Sequence, residues 1–231
     1  MSAALGSVPS VSEEFVCDHC LGPVTGYPEC YSCSQLLASA PDELRNRVIP
    51  MTSVVNPSSW YSRLLTYKNG SAENQMVIAS LATLYLVTQQ ANVEKLLGGS
   101  ITAIVPVPST RGRPFDKHPL AQALRRSVQF RDRIVDGMAH VLGGAIGRRE
   151  YKPTIFVASS EALRDQRVVL IEDLWVSGAK AMSAAGAALT AGAASVLILP
   201  LARELRPSFC GEDHPYLVAM GTPYSVKSWP R

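Results

Sequence analysis

The sequence predicts an α/β protein, a doubly wound and mostly parallel sheet with a small four-cysteine zinc knuckle at its N-terminus. Three observations carry this reading. Continuous apolar runs such as Arg167-Val-Val-Leu-Ile171 and Ser195-Val-Leu-Ile-Leu-Pro200 are what strands buried on both faces look like. They alternate with segments of helical length, as parallel β-α-β units do. Four of the five cysteines fall between Cys17 and Cys33 in two C-x-x-C pairs, the spacing of a metal knuckle.

The chain of 231 residues is 47% apolar and 18% charged, enough to bury a sizeable core and too apolar for general disorder. That length suits one large domain plus an appendage, divided here as residues 1–40 (zinc module) and 41–231 (α/β domain). A net charge of +3 is too small to imply nucleic-acid binding. Its distribution is uneven: residues 111–133 hold seven Lys or Arg against two acids, whereas residues 1–50 hold six acids against Arg45 and Arg47. The basic stretch either draws in an anionic ligand or is a solvated helix face. No basic region followed by an apolar stretch opens the sequence, so no signal peptide is expected. The apolar stretch Met76–Val87 is short for a bilayer span. A cytoplasmic protein without membrane insertion is the expectation.

Along the chain, residues 1–16 are small and polar and read as an irregular end. From Ser71 to Leu97, Val77, Leu81, Leu84 and Tyr85 recur at helical spacing, and Gly98–Gly99 stops the helix. Ile101–Val107 is a strand left through prolines. His118–Leu142 reads as two helices, the second closed by Gly143–Gly144. Strands follow at Thr154–Val157 and Arg167–Ile171, then a small-residue helix over Ala179–Ala191, then the strand Ser195–Pro200.

The chemistry concentrates after the strand at 167–171. Val168-Val-Leu-Ile-Glu-Asp-Leu-Trp-Val-Ser-Gly-Ala-Lys180 ends a buried strand in two acids, then turns through Ser177 and Gly178 into a helix. Ligands bind at the carboxyl ends of parallel strands. A glycine lets backbone fold closely around a phosphate, and helix-start N–H groups meet its charge. Glu172 and Asp173 suit ribose hydroxyls or magnesium, both of which favour carboxylate oxygen. A loop that merely joins strand to helix is the competing reading.

This stretch resembles the phosphoribosyl-pyrophosphate motif of type I phosphoribosyltransferases, in which two acids precede Val-x-Thr-Thr-Gly-x-Thr. Glu172 and Asp173 match the acids, and Ser177 and Gly178 match the second threonine and the glycine. Val176 and Lys180 stand where the motif has threonines; an ammonium can still meet phosphate as a point charge. Further segments resemble the ComF family, which joins a four-cysteine zinc module to such a domain and is associated with bacterial DNA uptake or repair. They are Leu65-Thr-Tyr-Lys-Asn-Gly70, Val105-Pro-Val-Pro108, Gly192-Ala-Ala-Ser-Val196 and Leu201-Ala-Arg203, in family order. In place of the family's Arg-Gly-Phe-Asn-Gln stands Arg113-Pro-Phe-Asp-Lys117, in which the aromatic and the following Leu120-Ala121 are what survives convincingly.

The resemblance implies a type I phosphoribosyltransferase sheet. It implies catalytic Glu172 and Asp173, which would stabilise positive charge at the anomeric carbon. The sugar phosphate would be bound by Trp175, Val176, Ser177, Gly178, Ala179 and Lys180. Pro108, Ser109, Arg111 and Arg113, with Lys117 nearby, would face pyrophosphate, assisted by magnesium. The rival expectation is a non-catalytic binding or accessory protein of the same fold.

Cys17, Cys20, Cys30 and Cys33 supply the tetrahedral thiolate set of structural zinc, which leaves no open coordination position for chemistry. Iron uses the same set. His19, inside the first knuckle, is a substitute ligand of low standing. A folded N-terminus presented to a protein partner is the expected role, and its acidic balance argues against direct contact with a DNA backbone. Cys210 has no base partner in the pattern and reads as an idle thiol.

Overall fold

In the computed structural model, which describes residues 5–69, 71–220 and 224–230, the chain opens with the short strand β1 (Leu5–Gly6). The cysteine segment and helix α1 (Tyr31–Leu37) follow. Next come β2 (Ser53–Val55), α2 (Ser59–Thr66), the 26-residue α3 (Ala72–Leu97), β3 (Ala103–Pro106) and α4 (Pro119–Arg125). After β4 (Met138–His140), β5 (Phe156–Ala158) and the one-turn α5 (Ser160–Leu163) lie the longest strands. These are β6 (Arg167–Trp175) and β7 (Ser195–Leu205), joined by α6 (Ala179–Thr190). The short helices α7 (Pro207–Cys210) and α8 (Pro215–Ala219) come last.

The central sheet has the order β1-β2-β7-β6-β3. β2, β7, β6 and β3 are mutually parallel, and β1 is antiparallel to β2. A mixed α/β architecture with a mostly parallel sheet is therefore present. Side chains alternate across a strand, so β6 and β7 feed two cores. Val168, Leu170, Val196 and Ile198 join the α6 cluster, while Val169, Ile171, Leu197 and Leu199 join the cluster of α3 and α4. Helices thus cover both faces, which is why both strands read as unbroken apolar runs.

α3 is set by its ends. The Ser71 hydroxyl accepts from the Asn74 N–H, and Gly98 caps the far end at φ 74°, a left-handed conformation glycine adopts freely. By length and composition it is the one helix among the described residues able to cross a membrane. Its Ile78, Ala82, Tyr85, Leu86, Val93 and Leu97 are buried in the core shared with the sheet.

Three expectations are corrected. The second helix within 118–142 does not form: α4 stops at Arg125, a single 3-10 turn spans Arg131–Arg133, and irregular backbone leads into the short strand β4. Phe130, Ile134 and Met138 are each buried, and their four-residue spacing imitates a helix face, but Ile134 bridges to Ile104 of β3 instead. The strand near 154–157 exists as β5, yet it pairs antiparallel with β4 in a separate two-stranded sheet. Residues 5–16 are not ragged, since β1 pairs with β2, Val8 and Val16 are buried, and the Val11 N–H donates to Pro230 O at 2.8 Å. Residues 1–4, in the same expectation, and Gly70 lie outside the described residues.

The two-core arrangement predicts that Leu170→Ala, which empties the centre of the α6 face, costs roughly 3 kcal/mol. Urea denaturation checks this, and a loss below about 1 kcal/mol would contradict a closely packed α6–sheet layer.

Candidate functional site

β3 leaves the sheet before β6 does. Its last pair is Pro106 with Ile171, whereas β6 continues beside β7 as far as Trp175 opposite Arg203. A crevice therefore opens at Glu172 and Asp173, at the carboxyl ends of the strands. Strand alternation sends the two acids to opposite faces. Glu172 turns toward α6, where Lys180 Nζ stands 3.6 Å from its Oε1. Asp173 turns toward the 67–69 turn, where its Oδ2 contacts Lys68 Nζ and accepts from Tyr67 Oη at 3.2 Å. Both still edge one cavity of about 470 Å³, walled also by Pro108, Ser109, Arg111, Arg113 and His118.

Electrostatics follow from burial. Desolvation pushes the Glu172 carboxyl up to about 7, against the downward pull of Lys180, and the Asp173 charge adds to the rise. Burial raises the Tyr67 phenol well above its ordinary value, reinforced by Asp173, so it stays a donor. Burial lowers His118, with Lys68, Arg113 and Lys180 adding to the fall against Asp173, which leaves a neutral imidazole.

A second cavity of about 460 Å³ adjoins the first, sharing Thr110, Glu172 and Lys180, and ends on Val176–Lys180 and the loop Gly144–Arg148. Gly178 starts α6 at φ 86°, and a Cβ there would overlap the Trp175 ring. The first-turn N–H groups of α6 have no acceptor within the helix, and with Lys180 they make this end cationic. Of the residues assigned to the loop by sequence, Val176, Ser177, Gly178, Ala179 and Lys180 line this cavity, Val176 half-exposed and with no hydroxyl. Trp175 is fully buried beneath Gly178, and Ala179 is buried too. Ser109 organises the preceding loop, its hydroxyl accepting from the Arg111 N–H at 3.2 Å. Arg111 and Arg113 reach the first cavity; Lys117 is exposed outside its walls.

The four cysteines converge. Their Sγ atoms lie within 4.8 Å of one another, and Cys20 and Cys30 are 3.8 Å apart, which matches the roughly 3.8 Å between thiolates held at about 2.3 Å from a tetrahedral metal. A four-cysteine group able to hold a metal such as zinc is thus present. The first pair sits on a turn closed by Leu21 N–H to Cys17 O at 3.0 Å, and the second flanks the start of α1, with Cys30 as its N-cap. Cys30 is held well below its ordinary thiol value by hydrogen bonds from Cys17, Cys20 and Cys33, with Arg203 adding to the effect. The C-terminal segment fastens this knuckle. Tyr216 Oη donates to Leu21 O at 2.7 Å, and His214 Nε2 lies 3.0 Å from Val24 O while its Nδ1 accepts from the Tyr216 N–H. His214 therefore carries its proton on Nε2.

Arg203 joins the two sites. Its Nη1 donates to the carbonyls of Trp175, Val176 and Glu204 at 3.0, 2.9 and 3.1 Å. Gly22 of the knuckle packs on its guanidinium so closely that a Cβ there would strike it. Burial disfavours the charge, but the thiolates of Cys20, Cys30 and Cys33 more than restore it. The sequence assigned no role to Tyr67, Lys68, His118 or Arg203. Tyr67 and Lys68 lie in the segment Leu65–Gly70 singled out by resemblance, and Arg203 is a cation within the apolar run 196–205, but nothing local to His118 pointed to it.

No family model, curated protein or solved structure matches the chain.

Two outcomes follow from this geometry. Elemental analysis should find about one zinc per chain, and Cys30→Ser should lose it. Because the thiolates share a core with Leu170, Trp175 and Ile198, far-UV circular dichroism should show the whole chain melting earlier; an unchanged midpoint would contradict the shared core. Glu172 gives a pH signature. Its carboxyl holds a proton more tightly folded than unfolded, so its contribution is complete below pH 4.5 and is lost as pH rises through about 7. Across that window stability falls by roughly 3 kcal/mol, and Glu172→Gln should flatten the decline in urea midpoints.

Proposed function

We propose that the chain binds phosphoribosyl pyrophosphate or a related sugar phosphate in the two adjoining cavities, in the manner of a phosphoribosyltransferase. The observation that carries this reading is the meeting of the cavities at Glu172 and Lys180. One cavity ends on the N-terminus of α6, suited to a 5-phosphate. The other is walled by Lys68, Arg111 and Arg113, suited to a pyrophosphate. Glu172, shared by both cavities, and Asp173, in the first, match a ribose diol. Agreement of the ComF-like segments with this layout, including Lys68 and Arg203, supports the same reading.

In this proposal Glu172 and Asp173 accept bonds from the ribose hydroxyls and face the anomeric carbon as it gains positive charge. The arginines and Lys68 take up the charge of departing pyrophosphate, and neutral His118, in the same cavity wall, is a donor for it or for the acceptor. The magnesium ion expected from the resemblance would supply further neutralisation on the acid pair. Those carboxylates are already paired with lysines, which fits the ion poorly.

A second reading, a non-catalytic binding protein of bacterial DNA uptake or repair, is favoured by the same pairing, because capped carboxylates stabilise a developing cation less. The cytoplasm suits its reduced cysteines. A protein partner would meet the knuckle where Tyr27 and Tyr31 are exposed, with the Arg149 guanidinium 4.9 Å from the Tyr31 ring centre.

Asp173→Asn separates sugar recognition from anion recognition. Calorimetry should show its preference for phosphoribosyl pyrophosphate over pyrophosphate reduced about tenfold, since a hydrogen bond to a charged group is lost. An unchanged preference would place the ribose elsewhere. Pyrophosphate release with nucleobases decides between the two readings.

A further inference from the structure

Each carboxylate of the acid pair has its own lysine, and the two lysines come from unrelated elements. Lys68 stands in the turn before α3, and Lys180 in the first turn of α6. Lys180 Nζ lies 3.6 Å from Glu172 Oε1. Asp173 Oδ2 takes both the Lys68 ammonium and the Tyr67 hydroxyl. Magnesium binds carboxylate oxygen at about 2.0–2.1 Å, demands near-octahedral geometry and keeps several waters. On Asp173 it would displace an ammonium and a phenol. On Glu172 it would enter a position where only 6% of the side chain is exposed. Among the described residues, no other His, Cys, Asp or Glu completes a three-ligand group with the pair.

The charge count points the same way. Lys68, Arg111, Arg113 and Lys180 face Glu172 and Asp173 around the first cavity, four cations against two carboxylates. A dication is repelled by that surplus, and an anion is drawn to it.

We propose that Lys68 and Lys180 replace the divalent cation at this site, so that a ribose bearing a 5-phosphate and a pyrophosphate binds without metal. The proposal rests on the sugar-phosphate reading above. The lysines and arginines neutralise the anionic ends, while the carboxylates turn to the ribose hydroxyls. Lys180 occupies the position of a threonine in the type I motif, so the departure from that motif is what supplies the second cation.

The test titrates phosphoribosyl pyrophosphate into the full, zinc-loaded chain by calorimetry. The buffer is stripped of magnesium over a chelating resin, with no chelator in solution to take the cysteine-bound metal. The titration is then repeated with millimolar magnesium. The dissociation constant should agree within about threefold between the two buffers, whereas Lys180→Ala and Lys68→Ala should each bind about tenfold more weakly without magnesium. Magnesium should restore part of that loss, because a freed carboxylate now accepts the ion; a lysine with a merely structural role gives no such rescue. Wild-type binding that appears only with magnesium overturns the proposal and leaves the sugar-phosphate reading standing. So does an unchanged affinity of both lysine variants in the stripped buffer. No binding in either buffer, by chain with an intact thermal transition, overturns the sugar-phosphate reading and this proposal with it.

Discussion

Arg203 is buried at the end of β7, with thiolates on one side and strand-end carbonyls on the other. Removing a guanidinium from water costs several kcal/mol unless its charge and donors are met. Here the cysteine cluster meets the charge, and Trp175, Val176 and Glu204 take the donors of Nη1. Four thiolates around a divalent metal would leave a doubly negative centre, which in turn needs a nearby cation. Neither partner is stable alone in that interior, so the knuckle and the end of β6 are bound to one another.

That pairing decides where the loop before α6 lies. The carbonyls of Trp175 and Val176 are pinned by Arg203, and the Trp175 ring is held in the core, 6.3 Å from the His19 ring of the knuckle. Gly178 then crosses the ring so closely that no side chain fits, which starts α6 at one place and aims its first turn at the crevice. The N-terminal knuckle is thus a support for the loop.

The crevice itself follows from unequal strands. β3 ends at Pro106 while β6 runs on, and the exposed strand end carries two acids whose alternation places them on opposite faces. Each acid meets a lysine from the helix layer on its own side. The result is a cavity rich in cations around a buried and a half-buried carboxylate, Glu172 and Asp173.

The local sequence determined features that depend on near neighbours. The apolar runs of β6 and β7, the α3 helix between Ser71 and Gly98, the two C-x-x-C turns and the acid–glycine segment were legible because spacing alone enforces them. The helix assigned after α4 was not, since a four-residue apolar period arises equally when Phe130, Ile134 and Met138 are buried by separate turns. Nor was the destination of β5, because a short apolar run does not say which sheet accepts it. Tertiary structure alone brought Lys68, from the turn before α3, to Asp173 near the end of β6 and set Arg203 beneath the cysteines. The physical reason is common to both: long-range charge pairing is settled by which buried groups lack other partners, and that is known only once the core has closed around them.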